Sequence, residues 1–464
     1  FDPMASQSSA TILSPMKRHV VVMAFPFGSH PLSLFNLLKK LAISSPGTQF
    51  SFLNTKISND SLFLASQVNN LPRNVKPYNV TDGSVLDNHV CSEHPEDMVE
   101  LFMKATPDNF RVGLEKAVAE TGRVSCLITD AFLLFGGEIA ENLNIPWIPV
   151  WLPVPISLSV HIYTDIIRHY YYNDDILKTI PGLGQIQMTD LPHEVLSNEK
   201  EETLLLSCML RQVGSVLPQC TALVMNFYEE LYPKDLLNDL KSKFSCLLNV
   251  GFVNLELPPP LSDTDQTGCL LWLDSLEAKS SSVAYISFGT MVSIPSNEIK
   301  ELAEALEESK IHFLWSIRDN LRDQLPDGFL ERTKLKGKLV SWAPQTQVLA
   351  HDSIGVFVTH GGSNSMLESM TNAVPMICRS VFADSMINTR IVEEIWGIGV
   401  RVDDGVFTKK GLIKNLEIIL NGEEQGRRIR ENACAMQQLV FNAAEADGRA
   451  NKDFKTLVDK ISLN

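Results

Sequence analysis

The sequence predicts an α/β protein of two domains, each built on a parallel β-sheet with helices on both faces. Short apolar runs alternate with amphipathic helical stretches along most of the chain, which is the pattern of a parallel sheet. A Pro-rich polar segment, 255–268, interrupts this alternation. At 464 residues the chain is also too long for one ordinary core. We therefore expect two domains facing across a cleft, with ligands bound beyond the C-terminal ends of the strands.

The first half defines an N-terminal domain over residues 19–254. Its strands are predicted from short apolar runs, at His19–Pro26, Gln49–Thr55, Cys126–Asp130, Trp147–Trp151 and Ala222–Phe227. Its helices are predicted from apolar residues at helical spacing, over Leu32–Ala42 and Pro95–Ala119. Residues 1–18 precede this domain as a tail, and Phe1–Pro3, which come before Met4, are interpreted as a cloning remnant.

After the linker 255–268, the same alternation defines a C-terminal domain over residues 269–445. Its strands are predicted at Val283–Phe288, His312–Ile317, Gly337–Trp342, Ile354–Thr359, Val374–Cys378 and Gly397–Val402. A helix is predicted over Ser296–Ser309, with Glu298 favourably placed in its first turn. Residues 446–464 are predicted to form a helix that packs back on the N-terminal domain.

Composition and charge exclude several classes of protein. The net charge is −15 and no long basic tract occurs, so nucleic acid is not an expected partner. The eight cysteines form no C-x-x-C pair and mostly lie in apolar runs, which indicates reduced thiols and a cytoplasmic protein. The uncharged stretch Asn144–Val160 contains four prolines and is poorly suited to a membrane helix.

The most informative segment is Trp342–Ser385. Within it, His360–Ser365 fill the turn between a predicted strand and a helix that begins near Met366. Paired glycines let backbone N–H groups approach an anion at a helix N-terminus, where partial positive charge accumulates. His360, Asn364 and Ser365 add side-chain donors, so the turn predicts a diphosphate site without a lysine. A serine-hydrolase elbow is excluded, because Ser365 stands where that turn requires glycine.

Three further side chains of the segment suit the rest of a nucleotide. Glu368 lies one helical turn after Asn364 and Ser365, where its carboxylate can accept hydrogen bonds from ribose hydroxyls. Trp342 offers a flat face for a base, and Gln345 a nearby amide. Taken singly, Trp342 has an alternative interpretation as a core residue and Glu368 as a solvated surface residue. Their spacing favours one nucleotide site.

This segment resembles the signature box of plant UDP-sugar-dependent glycosyltransferases with the GT-B fold. The rest of the chain resembles the flavonoid 3-O-glycosyltransferase subgroup, through AFPFGSH (24–30), TDAF (129–132), HIYTDIIR (161–168), YISFGT (285–290), GFLERTKLKGK (328–338) and GVFTKKG (405–411). The resemblance implies two Rossmann-like domains, a UDP-sugar as co-substrate and a flavonoid acceptor. It implies no cofactor and no metal. No membrane insertion is expected, and a monomer is expected because the sequence shows no heptad or exposed-edge signal.

The resemblance also implies roles for individual residues. His30 corresponds to the catalytic base that removes the acceptor's proton, and Asp130 to the acid that orients it. The implied donor-binding residues are Thr290, which contacts the β-phosphate, Trp342, Ala343, Gln345, His360, Gly362, Ser363, Asn364, Ser365, Glu368, Asp384, Ser385 and Leu152. The implied acceptor-binding residues are Glu96, Phe132 and His161. The reaction implied is direct displacement at the anomeric carbon with inversion of configuration.

Three positions depart from the family's glucose pattern. The family has Trp at the position of Ser363 and Gln at the position of Ser385, and the subgroup has Thr at the position of Leu152. Serine is too short to reach the hydroxyls that the Gln binds. An unpaired sugar hydroxyl beside Leu152 costs about 1–3 kcal/mol, whereas a methyl group there gains about 0.8 kcal/mol from burial. We therefore expect UDP-rhamnose to be the preferred donor and a flavonol 3-O-rhamnoside to be the product.

Three alternatives stay open. The first is a flavonoid or anthocyanidin 3-O-glucosyltransferase that uses UDP-glucose, in which the three substitutions are neutral. The second is a catalytically silent scaffold that binds UDP-sugars. The third is an epimerase on a related fold, which would convert UDP-sugars with no acceptor present.

Overall fold

Two parallel β-sheets form the framework of the protein. The computed structural model describes residues 18–63, 71–84, 95–170, 173, 175–196, 204–255, 265–276, 280–289, 294–381, 384–422 and 424–462, and for residues 95 and 96 it describes the backbone only. All strand pairs within each sheet are parallel. This arrangement agrees with the α/β class that the alternating sequence pattern predicts.

The N-terminal sheet has the strand order β3-β2-β1-β4-β5-β6-β7. Its strands are β1 (Arg18–Met23), β2 (Thr48–Thr55), β3 (Val75–Val80), β4 (Cys126–Asp130), β5 (Trp147–Trp151), β6 (Leu223–Met225) and β7 (Leu247–Asn249). The helices of this half are α1 (His30–Ser44), α2 (Lys56–Leu62), α3 (Pro95–Ala105), α4 (Asp108–Thr121), α5 (Gly136–Leu143), α6 (Pro155–Ile162), α7 (Thr164–His169), α8 (Asp175–Thr179), α9 (His193–Leu196), α10 (Leu205–Leu210), α11 (Val213–Val216) and α12 (Lys234–Lys243).

The C-terminal sheet has the strand order β10-β9-β8-β11-β12-β13. Its strands are β8 (Val283–Ser287), β9 (His312–Ser316), β10 (Gly337–Val340), β11 (Ile354–Thr359), β12 (Met376–Cys378) and β13 (Gly399–Arg401). The later helices are α13 (Cys269–Asp274), α14 (Ser296–Ser309), α15 (Phe329–Thr333), α16 (Gln345–Leu349), α17 (Ser363–Thr371), α18 (Ser385–Arg390), α19 (Lys409–Leu420), α20 (Glu424–Ala443) and α21 (Arg449–Ser462).

The long helix predicted over Pro95–Ala119 is two helices, α3 and α4. The break falls at Thr106 and Pro107, because proline has no N–H to donate to the preceding turn and disfavours helical backbone in the residue before it. Strand β3 was not predicted, because Pro77 interrupts its short apolar pattern. It lies at the edge of the sheet, where a proline is tolerated.

The final helix, α21, packs against the N-terminal sheet although it follows the C-terminal domain. Leu457 and Ile461 are fully buried in the same apolar cluster as Val20 and Leu248. Asp453 accepts a hydrogen bond from the backbone N–H of Asn249 on β7, at 2.9 Å. Each buried aliphatic side chain contributes about 1.5–3 kcal/mol, so α21 holds the two halves of the chain together.

Among the described helices, none combines the length and apolar character needed to cross a membrane.

Candidate active site

His30 and Asp130 meet at the C-terminal edge of the N-terminal sheet. β1 and β4 are neighbours, so the loop after β1 and the last residue of β4 lie side by side. The Nδ1 atom of His30 is 2.7 Å from Oδ2 of Asp130, and the other carboxylate oxygen accepts the backbone N–H of Phe132 at 2.9 Å. The Asp130 side chain is 1% exposed and that of His30 is 18% exposed. Asp130 therefore fixes the ring with Nδ1–H toward the carboxylate, which leaves Nε2 as the basic nitrogen.

The surroundings of His30 change its pKa in opposing directions. Burial lowers the pKa, but the charge and hydrogen bond of Asp130, together with the charge of Asp384, outweigh burial. The net result is a His30 pKa above its ordinary value of 6.5. The imidazole is thus a stronger base than a free histidine, which suits the removal of a proton from a hydroxyl.

An aromatic wall lies beside this histidine. The ring of Phe132 is 4.8 Å from that of His30, and Phe132 contacts Trp151 edge-on at 5.8 Å. Trp151 in turn lies 5.8 Å from His161, which is 2% exposed. Burial lowers the pKa of His161 against the opposing charge of Asp384. Trp151 and His161 are buried, so Phe132 is the member of this group that can present its ring to a flat aromatic acceptor.

The turn between β11 and α17 has the features of an anion site. Gly361 has a φ of +76°, and a Cβ there would come within 2.6 Å of Thr389 Cγ2. Glycine is therefore required for the turn that aims backbone N–H groups at the N-terminus of α17. Burial lowers the pKa of His360 to about 4, so its ring is neutral at physiological pH. The buried Nδ1 of His360 has no hydrogen-bond partner among the described residues, so it is available to a ligand.

Gln345, Ser365 and Glu368 form one hydrogen-bonded group below the turn. The Gln345 amide donates to Glu368 Oε2 at 2.6 Å and to Ser365 Oγ at 3.0 Å. Tyr285 donates to Gln345 Oε1 at 3.2 Å. Burial raises the pKa of Glu368, and the Gln345 bond opposes that rise. Trp342 is 55% exposed, so its indole face is free to stack on a base.

The two domains meet across the cleft through polar side chains. Ser157 on α6 donates to Asp384 Oδ1 at 2.7 Å, and Asp384 is the residue before α18. Asn364 at the start of α17 donates to Ser33 Oγ on α1 at 3.3 Å. These bonds hold the C-terminal domain against α6 and against α1, the helix that begins at His30.

The chain is similar to known glycosyltransferases along most of its length. A family model described as "UDP-glucoronosyl and UDP-glucosyl transferase" matches residues 114–439. The chain is 47% identical to a flavonol 3-O-glucosyltransferase, F3GT2, of Actinidia chinensis var. chinensis, over 96% of each chain. It is 45% identical to anthocyanidin 3-O-glucosyltransferase 2 of Fragaria ananassa, over 96% of this chain and 98% of that one. The chain belongs to the UDP-glycosyltransferase family.

A solved UDP-glucose:anthocyanidin 3-O-glucosyltransferase in complex with UDP shares the fold of this transferase. The TM-score is 0.90 at 44% identity, and the match covers 96% of this chain and 99% of that one. The prediction of a GT-B fold is therefore confirmed. As a member of this family, the transferase uses a UDP-sugar as co-substrate and needs no metal. Membership of a family of transferases argues against the two alternatives of a silent scaffold and an epimerase.

Two of the predicted site residues cannot be placed in the transferase. Thr290 and the side chain of Glu96 lie outside the described residues. Ala343 is 6% exposed and belongs to a hydrophobic cluster that spans both domains, so its side chain packs in the core beside the predicted base site.

The three unusual positions of the transferase are all well packed. Ser363 Oγ accepts a hydrogen bond from Asn388 Nδ2 at 3.2 Å, and the same amide donates to the Gly361 carbonyl at 2.9 Å. Ser385 is 7% exposed and accepts the Val381 N–H at 3.2 Å. Leu152 is 6% exposed and lies in the apolar cluster of the N-terminal domain.

Sequence reasoning missed several residues that hold the site together, above all Ser33, Ser157 and Asn388. Ser33 and Ser157 bind partners hundreds of positions away in the chain, and no local pattern marks them. Asn388 follows Ser385 on α18 and lies just beyond the recognised segment. No local sequence pattern marks it.

The raised pKa of His30 predicts the pH dependence of transfer. The base acts in its neutral form, so kcat/KM is expected to fall as pH drops through a value above 6.5. Replacing Asp130 by asparagine removes the charge that raises this pKa. The residual activity of the variant should therefore fall at a lower pH than the activity of wild type does. Initial rates measured between roughly pH 5 and 9, the range around the pKa of histidine, locate the acid limb of each protein. A limb at the same pH in both proteins contradicts the assignment.

Proposed function

We propose that the protein transfers a sugar from a UDP-sugar to the 3-hydroxyl of a flavonol. The observation that carries the proposal is the His30–Asp130 pair at 2.7 Å, placed beside the aromatic wall of Phe132. The named relatives add support, since they include a flavonol 3-O-glucosyltransferase and anthocyanidin 3-O-glucosyltransferases. A flavonol is flat and apolar with an acidic 3-hydroxyl, and those properties match the wall and the base.

In the proposed reaction, His30 Nε2 takes the proton of the 3-hydroxyl. The oxygen then forms a bond to the anomeric carbon of the sugar while the bond from that carbon to the UDP oxygen breaks. Because attack comes opposite the leaving group, the configuration at that carbon inverts. Asp130 stabilises the imidazolium that forms. UDP leaves with its negative charge facing the turn His360–Gly362 and the N-terminus of α17.

For the donor we propose UDP-glucose. The named relatives include glucosyltransferases and an anthocyanidin 3-O-galactosyltransferase, F3GT1 of Actinidia chinensis var. chinensis, to which the chain is 42% identical. Asp384 supplies a carboxylate for the sugar hydroxyls, and Ser157 already holds this carboxylate at the cleft. The preference for UDP-rhamnose expected from the sequence has no support among these relatives.

UDP-rhamnose is retained as a second candidate because of Ser385 and Leu152. Ser385 lacks the amide that the family's Gln supplies, and Leu152 lacks the hydroxyl that the subgroup's Thr supplies. Leu152 also belongs to an apolar cluster. A donor comparison on one flavonol, with UDP-glucose, UDP-galactose and UDP-rhamnose at equal concentrations, tests both candidates. Fastest turnover with UDP-glucose supports the first candidate, and fastest turnover with UDP-rhamnose supports the second.

A Ser385→Gln substitution should raise the ratio of UDP-glucose to UDP-rhamnose turnover by about 5- to 10-fold. One hydrogen bond to a sugar hydroxyl contributes about 1 kcal/mol, and D-glucose and L-rhamnose present their ring hydroxyls in different configurations. The 6-hydroxyl that rhamnose lacks concerns position 152. Product analysis by liquid chromatography with both donors gives the ratio. Adding Leu152→Thr should raise the ratio further.

The matched control for this substitution is Ser242→Gln on the exposed end of α12, which should leave the ratio unchanged. An unchanged ratio in the Ser385→Gln, Leu152→Thr double variant contradicts a selecting role for these two positions.

A further inference from the structure

The short helix α18 is held to the N-terminal domain at both of its ends. At its start, Asp384 accepts the hydroxyl of Ser157 at 2.7 Å. At its end, Arg390 donates from Nε to Asp190 Oδ2 at 2.7 Å and from Nη2 to Asp190 Oδ1 at 3.2 Å. Asp190 belongs to a 3₁₀ turn, Met188–Asp190, of the N-terminal domain. One helix of the donor domain is thus attached twice to the acceptor domain.

We propose that Asp190 is a positioning residue that sets where Asp384 stands relative to His30. This proposal rests on the donor role proposed for Asp384, but not on the identity of the acceptor. Asp190 lies outside the segment Trp342–Ser385 and outside the catalytic pair. It would act through Arg390 and α18 and would not touch the substrates.

The Asp190–Arg390 pair has the properties of a specific structural lock. The Asp190 side chain is 3% exposed and that of Arg390 is 8% exposed, so both charges are buried. A planar guanidinium that bonds both oxygens of one carboxylate fixes direction as well as distance. Gln187 accepts a further hydrogen bond from Arg390 Nη2, at 2.6 Å. Removal of the Asp190 charge would leave the buried Arg390 with the half-exposed Glu394, 3.7 Å away, as its carboxylate partner.

A second arginine completes the charge balance around Asp190. Arg401 at the end of β13 donates from Nη1 to Asp190 Oδ1 at 3.1 Å and pairs with Glu393 at 2.7 Å. Asp190 Oδ2 also accepts the backbone N–H of Gln187 at 2.9 Å, which holds the carboxylate in its turn. The lock therefore joins a fixed turn of one domain to a strand and a helix of the other.

The helix is short enough to transmit this restraint to the site. Asp384 and Arg390 are six positions apart, which is roughly 9 Å along a helix axis. Asp384 bonds Ser157 on α6, the helix that also carries His161, and its charge raises the pKa of both His30 and His161. A shift of α18 would move the sugar-binding carboxylate relative to the base, and transfer depends steeply on such distances.

The test is Asp190→Asn, which keeps the shape of the side chain and removes its charge. Gln345 and Glu368 bond each other on α16 and α17, whereas Asp190 bonds Arg390 and Arg401. UDP should therefore bind to this variant within twofold of wild type by calorimetry. We expect kcat for transfer from UDP-glucose to quercetin to fall at least tenfold. Arg390→Lys keeps the positive charge but cannot bond both carboxylate oxygens of Asp190 with a planar guanidinium. This variant should also have a lower kcat. This second variant decides the proposal if Asp190→Asn does not fold.

The matched control is Glu298→Gln. Glu298 and Arg379 form a buried pair with bonds of 2.6 and 3.0 Å, but both lie in the C-terminal domain. This variant should unfold at a lower temperature and yet keep kcat within twofold when assayed well below that temperature. If Asp190 contributes only to stability, Asp190→Asn will also unfold at a lower temperature and keep kcat within twofold of wild type. That result overturns the proposal. Loss of UDP affinity in step with kcat also overturns it.

A readout without an acceptor separates this proposal from the proposed function. Hydrogen exchange with UDP bound should be at least threefold faster in α6 and α18 of Asp190→Asn than in wild type. Equal exchange in the two proteins overturns the lock. If wild type transfers no sugar to quercetin, the flavonol assignment fails, while the exchange comparison still decides the role of Asp190.

Discussion

Replacing His30 by alanine is expected to lower kcat for sugar transfer by about 10²- to 10⁴-fold, the contribution typical of a positioned general base. The reason is local, since Asp130 directs Nδ1 and leaves only Nε2 to take the acceptor's proton. UDP affinity should stay within twofold of wild type, because the side chains that we expect to bind UDP belong to the other domain. Single-turnover transfer rates and calorimetry with UDP measure the two quantities.

The chain contains a matched control for this substitution. His351 Nε2 lies 3.2 Å from Asp274 Oδ1, so it forms a histidine–aspartate pair of the same kind away from the cleft. His351→Ala should leave kcat within twofold of wild type. A His30→Ala protein with more than half of the wild-type rate contradicts the catalytic assignment. A wild-type protein that binds UDP but transfers nothing would instead indicate a silent scaffold.

Replacing Glu368 by alanine is expected to weaken UDP binding by about 10- to 100-fold. Hydrogen bonds to charged groups contribute about 1.5–3 kcal/mol, and we expect the half-buried carboxylate to accept ribose hydroxyls. The substitution also removes the partner of Gln345, whose amide lies 2.6 Å from Glu368 Oε2. Calorimetric titration with UDP, and with uracil as a ligand that lacks the ribose, separates the two effects. The loss should appear with UDP and be much smaller with uracil.

An exposed carboxylate on another helix provides the comparison for Glu368. Glu417 lies on the solvent side of α19, and Glu417→Ala should bind UDP as wild type does. If Glu368→Ala binds UDP within twofold of wild type, the carboxylate does not recognise the ribose. The assignment of this pocket to the nucleotide would then rest on Trp342 and the turn alone.

The pairing of His30 with Asp130 was predicted from the family resemblance, and a rule of topology explains why the two residues meet. His30 follows β1 and Asp130 ends β4, and the carboxyl ends of neighbouring parallel strands meet at one edge of a sheet. The nucleotide group was accessible for a different reason. Gln345, Ser365 and Glu368 lie within one strand–turn–helix unit and its preceding loop, so their spacing along the chain limits their separation in space.

The contacts between the domains could not be predicted, because nothing local encodes them. Ser157–Asp384 and Asp190–Arg390 join residues about 200 positions apart in sequence. The orientation of one folded domain on the other decides such pairs. For the same reason, sequence alone places Leu152 near the donor only through the family pattern, whereas the structure assigns it to the core of the N-terminal domain. The roles of the individual site residues stay predictions until the variants are measured.

The most direct test of the account is a product analysis with purified protein, quercetin and UDP-glucose. We expect release of UDP and formation of quercetin 3-O-β-glucoside, with the linkage and the inverted configuration established by NMR. Mixtures that lack quercetin should show no conversion of the UDP-sugar. Conversion of UDP-glucose to another UDP-sugar without acceptor, or no flavonol glycoside with any UDP-sugar donor, would contradict the account.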